Sequence, residues 1–157
     1  MKPIGNIVFG IVIILVCFSA IGSVFTYHRP EGFSVRLVGS GEDVLISATE
    51  SYLRKTTYYR HGTMYERRVR FTVSERELER LYALIRKNRF DEIKTVRKHI
   101  PGRTGDDKII VTIGSQVIEK SNQGDDVVAA FSLSRFREIA DAILALKERK
   151  LRRVRSS

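Results

Sequence analysis

The chain has 157 residues, 28 Lys and Arg against 18 Asp and Glu, a net charge of +10 and one cysteine, Cys17. That length suits one domain of ordinary size behind a short N-terminal segment. One cysteine excludes an intrachain disulfide, and its position leaves the chain after Tyr27 without a thiolate nucleophile or a cysteine metal site.

Pro3 to Tyr27 carries no charged side chain and is mostly Ile, Val, Leu, Phe, Ala and Gly. At about 1.5 Å per residue such a run makes roughly 37 Å of helix, against a hydrocarbon core of about 30 Å. The apolar stretch Ile7 to Val24 outlasts the 7–15 residues or so of a secretory signal. Residues 1–27 are therefore expected to be a transmembrane anchor, crossing with residues 4–26. A cleaved export signal is the alternative, with Lys2 as its basic start and Ala20-Ile21-Gly22 as its small-residue site. Lipidation at Cys17 is disfavoured by the bulky Val16 before it. Lys2 on one side and Arg29 and Arg36 on the other nearly balance the positive-inside count. A single-pass protein of the cell membrane, with its domain outside the cytoplasm, is the expectation.

His28-Arg29-Pro30-Glu31-Gly32 reads as a linker, residues 28–32. Phe33, Val35 and Leu37 then alternate with Ser34 and Arg36, a half-buried strand. Gly39-Ser40-Gly41 breaks it, and Val44 to Ser47 is a second short strand. Tyr52 to Tyr59 is rich in Thr and Tyr, which suit strands. His61-Gly62 is a turn, and Tyr65, Arg67, Val69, Phe71 and Val73 alternate with polar residues along a further strand. These strands form an antiparallel meander with one wet face.

Ser74-Glu75-Arg76-Glu77 is a capping box, and Val73 and Leu78 stand at staple spacing around it. Leu78, Leu81, Tyr82 and Ile85 make one apolar helical stripe ending near Asn88 or Arg89. Pro101-Gly102 and Gly105-Asp106-Asp107 mark a loop. Gly114-Ser115 joins two β-rich runs as a tight hairpin, which sets Val111 opposite Ile118. Asn122 to Asp126 reads as a polar loop. Ser132 is the candidate cap of a last helix, with Phe131 and Phe136 as its staple. Phe136, Ile139, Ala140, Ile143 and Leu144 form its stripe, which runs to about Lys150. The pattern predicts an α+β domain over residues 33–150, an antiparallel sheet of meander plus hairpin covered on one face by two helices. Residues 151–157 are expected to be a basic tail.

The strand Val69-Phe71-Val73, the helix Leu78, Leu81, Ile85, then Phe90, the hairpin at Gly114 and a closing helix with Ile139 and Ile143 resemble the small secreted emfourin-like domains and related exported domains. The resemblance covers roughly residues 33–147 and implies an α+β inhibitor of metallopeptidases. It carries over no site residue.

No catalytic constellation emerges, so no enzyme activity and no cofactor or metal is expected. His28, His61 and His99 do not share metal-ligand spacing. Glycine patterns for phosphate loops and a nucleophile elbow are missing. Asp106 with Asp107 and Asp125 with Asp126 are turn formers before they are an acid–base pair. What stands out is charge. Arg54, Lys55, Arg60, Arg67 and Arg68, interleaved with Tyr52, Tyr58, Tyr59 and Tyr65, form one basic group. Arg86, Lys87, Arg89, Lys94, Arg97 and Lys98 form another. Arg149, Lys150, Arg152, Arg153 and Arg155 form the densest group, in the C-terminal stretch. The first and last groups are the candidate contacts for an anionic lipid or envelope polymer. A protein partner is also compatible, nucleic acid is disfavoured, and a purely solvating role is the competing explanation. The expected function is a membrane-tethered, non-enzymatic interaction module.

Overall fold

A computed structural model describes residues 28–39, 41–58, 62, 64–98 and 106–155, with the side chains of 106 and 155 left aside. The expected anchor, residues 1–27, lies outside the described residues. Among the described residues no helix is long and apolar enough to cross a membrane.

Four strands follow one another as the alternation predicts: β1 Ser34–Gly39, β2 Glu42–Ser47, β3 Ser51–Tyr58 and β4 Met64–Phe71. Gly41 turns β1 into β2 at φ +76°, and a side chain there would meet the Thr56 carbonyl oxygen at 3.1 Å. After the helices begin, β6 (Asp106–Ile113) returns to pair with β1, and β7 (Gln116–Gln123) folds back on β6. The Gly114-Ser115 turn sets Val111 opposite Ile118, as the spacing predicts. The six-stranded sheet has the order β4-β3-β2-β1-β6-β7, and every pairing is antiparallel.

Two helices cover one face. Helix α1 (Glu75–Lys87) starts on the predicted capping box: Ser74 Oγ accepts from the Glu77 amide, and Glu77 Oε2 accepts from the Ser74 amide at 2.9 Å. Leu78, Leu81 and Ile85 are its buried stripe. Arg89 takes a left-handed φ of 46° and releases the chain into the 3₁₀ turn Phe90–Glu92. Helix α2 (Ala130–Arg155) runs antiparallel to α1, since Lys87 meets Glu138 and Lys150 meets Glu77. The helices press Leu78, Phe136, Ile139 and Ile143 onto Val35, Val44, Ile46, Ile109 and Val111. Burying each such side chain stabilises the fold by about 1.5–3 kcal/mol before entropy is charged.

Four details differ from the sequence expectation. The Asn122–Asp126 segment is a tight turn between strands: β7 runs to Gln123, and Gly124 turns at φ +55° into β8 (Asp126–Val128), which pairs with β5 (Thr95–Arg97) as a second small sheet. Asn122 Oδ1, accepting from the Val128 amide at 3.1 Å, closes it. Helix α2 begins two residues before Ser132, because the Ala129 amide is fixed to the Lys94 carbonyl at 2.9 Å. Ser132 is buried inside the helix and accepts from Arg135 Nη2 at 3.1 Å, while Phe131 is 68% exposed, so no staple to Phe136 forms. The helix also passes Lys150 without fraying, for Leu151 is buried, and residues 151–155 belong to the domain. Residues 28–32 are docked rather than free: Arg29 Nε and Nη2 hold Glu75 Oε1 at 2.7 and 2.6 Å on the first turn of α1.

Candidate basic hairpin and cleft

The β3–β4 hairpin sorts its cations by strand parity. Leu53 pairs with Val69 and Lys55 with Arg67, and these face α2; Tyr52 pairs with Arg70 and Arg54 with Arg68, and these face away. Like charges opposite one another on a sheet repel. On the open face each is answered. Asp43, only 5% exposed, accepts from Arg36 Nε and Nη2 at 2.8 and 2.7 Å and from Arg54 Nη2 at 2.7 Å. Burial pushes the Asp43 carboxyl up, but the bonds and charge of Arg36 and Arg54 outweigh it and hold it below the usual range. Glu50 takes Arg68 at 2.6 Å and Arg70 at 3.5 Å, and the Arg68 guanidinium lies 4.0 Å above the Tyr52 ring. Arg54 and Arg68 thus serve the sheet itself.

The helix-facing rung is different. Lys55 Nζ stands 3.5 Å from Glu42 Oε1, and Arg67 has no carboxylate partner among the described residues. Beside them α2 ends over the hairpin, leaving a cleft of about 500 Å³. Its floor is Leu53 and Val69, and its roof is Leu151 and Val154. At its inner end the Lys147 ammonium bonds Glu42 Oε2 at 2.8 Å and Glu148 Oε1 at 3.2 Å. Burial lowers the Lys147 pKa, but the two carboxylates more than offset this and raise it; Glu42 is held below its usual value in return. The pair therefore stays charged across neutral pH.

The other candidates scatter. Lys150 is only 11% exposed and spans 2.6 Å to Glu77 Oε2, so it closes the α1 cap. Arg149 lies on the α1 side of α2, near Arg80 and Glu77. Arg152 and Arg153 are exposed on the last turn of α2, Arg155 ends that helix, and Arg60 is outside the described residues. Tyr58, Met64 and Tyr65 stand out at the hairpin tip, 75%, 57% and 56% exposed. Tyr59 is outside the described residues, as are His61 and His99. His28, Asp125 and Asp126 are exposed, and Asp107 is half-buried in β6. Among the described residues no group of three His, Cys, Asp or Glu is placed to hold a metal.

Sequence reasoning missed Glu42, Lys147, Leu151 and Val154. One signal was available: Ile143, Lys147 and Leu151 recur every four residues, so the lysine sits on the buried stripe. No family model matches this chain, and no curated protein matches it.

Proposed function

We propose that this protein is a non-enzymatic binding module, tethered at the cell membrane by residues 4–26 with its domain outside the cytoplasm, that engages an anionic partner through the hairpin rung Lys55–Arg67. The observation that carries this reading is the contrast between the two hairpin faces. Arg54 and Arg68 are neutralised by buried or bridging carboxylates, whereas Arg67 has none within reach among the described residues. An unneutralised cation beside exposed aromatics attracts anions at a cost in local repulsion. The uncharged run Pro3 to Tyr27 supports the tether.

The test uses the full chain in nanodiscs of zwitterionic phosphatidylcholine, with polyphosphate as the probe polymer. Affinity should fall roughly tenfold as salt shortens the Debye length from about 10 Å at 0.1 M to about 3 Å at 1 M. Lys55→Glu with Arg67→Glu should abolish it. Binding that ignores salt, or no binding, removes the reading. A second reading, inhibition of an envelope metallopeptidase as in the emfourin-like domains, draws support from the exposed Tyr58, Met64 and Tyr65 tip. Capture of a metallopeptidase in place of polyphosphate would favour it.

A further inference from the structure

The inner face of the β3–β4 hairpin is graded. Ser51 and Phe71 form a buried rung, Leu53 and Val69 an apolar rung in the cleft, Lys55 and Arg67 a cationic rung, and Thr57 and Tyr65 an exposed one. Successive rungs on one face are about 7 Å apart. Leu151 and Val154 of α2 roof the apolar rung. The cleft volume, about 500 Å³, lies inside the range of about 300–1,000 Å³ that small-molecule sites occupy. A polyanion alone would use the cations and leave the apolar half of the cleft unused. A neutral hydrophobe would leave the cations unused. Only a ligand with both characters, joined within one rung spacing, satisfies the whole surface.

We infer that the cleft binds a monomeric single-chain amphiphile with one anionic head, its alkyl chain between Leu53, Val69, Leu151 and Val154 and its carboxylate or phosphate on Lys55 and Arg67. The inference rests on the hairpin rung being an anion site. Charge complementarity selects the head: Lys55, Arg67 and Lys147 line the cleft against two carboxylates, Glu42 and Glu148, and among the described residues Arg67 alone of the three has no carboxylate partner, so one positive charge at the mouth is left to match. A bilayer lipid is a poorer fit. The rung lies towards the Gly39–Glu42 end of the sheet, whereas residue 28 enters at the opposite, Ser34 end.

The test is photolabelling of the full chain in zwitterionic nanodiscs. One probe is a diazirine-bearing long-chain fatty carboxylate, another is the matching alkyl phosphate, and the methyl ester of the first is the uncharged control. Cross-links are mapped by mass spectrometry. Labelling by either acid at Val69 or on the Leu151–Val154 turn is expected, and which acid labels more strongly identifies the head group. Val154→Trp, at a 47% exposed position, should block the cleft mouth and cut labelling roughly tenfold. Lys55→Glu with Arg67→Glu should cut labelling and polyphosphate binding together, and this pair decides the matter if Val154→Trp fails to fold. Equal labelling by the ester, or labelling confined to residues 1–27, overturns the inference. Polyphosphate binding without cleft labelling sinks the amphiphile alone. Cleft labelling without polyphosphate binding sinks only the polymeric partner.

Discussion

Glu77 shows how one side chain joins two elements. Its carboxylate caps α1 through the Ser74 amide at 2.9 Å and hydroxyl at 2.8 Å, and it pairs with Lys150 of α2 at 2.6 Å. Burial alone would raise its pKa; the Lys150 bond and the two Ser74 bonds outweigh that and lower it from 4.5 to about 2. The folded carboxyl thus holds its proton less tightly than the unfolded one. Its stabilisation is whole above pH 4.5 and is lost as pH falls towards 2. Because the group lies at the surface, the contribution is about 1–2 kcal/mol rather than the full value of the shift. Glu77→Gln should lower stability by that amount at pH 7 and flatten the decline below pH 4.5, read by urea unfolding at several pH values. An unchanged acid limb would show that the cap and bridge contribute nothing.

At the scale of elements, α2 decides where the domain ends. Leu151 packs on the hairpin, so its truncation removes core, not tail. Leu151→Ala should cost about 2–3 kcal/mol, the lower part of the range for buried leucines because the site borders a cleft. Thermal unfolding of the variant checks this; a change within about 0.5 kcal/mol would fit a solvated tail instead. The misreading has a physical source. From Lys147 on, basic residues dominate, and a buried lysine looks like the start of solvent. Its burial depends on Glu42, 105 residues earlier, which no local pattern reveals. Features set by nearby residues were readable: the alternation of β1 and β4, the capping box at Ser74 and the hairpin at Gly114. Those set by distant pairing were not. Strand β8 exists because β5 pairs with it, and Ser132 is buried because Arg135 and Lys94 claim its hydroxyl. The cleft belongs to the second class. The sequence showed Lys55 and Arg67 as charges but could not show Leu151 and Val154 above them.

At the scale of the whole molecule, the sheet separates the point where the chain enters the domain from the candidate site. Residue 28 leads into β1 at the Ser34 end, which also holds Ser47, Ser51 and Phe71. The hairpin tip, Tyr58 and Met64, stands at the other end. Seven residue steps along β3 place it roughly 23 Å from Ser51 at about 3.3 Å per residue. Arg29 bonds Glu75 on the first turn of α1, so the chain is held to the domain from residue 29 onward. If residues 4–26 cross the bilayer, the tip stands away from it and meets soluble or polymeric partners before lipid head groups. The chain suits a direct measurement, because Cys17 is its sole cysteine. In a Cys17→Ser background, fluorophores placed by Glu31→Cys and by Tyr58→Cys would report their depth in nanodiscs carrying nitroxide lipids. Strong quenching at 31 with little at 58 is expected. Equal quenching at both would mean that the domain lies flat on the membrane and that the basic hairpin touches lipid.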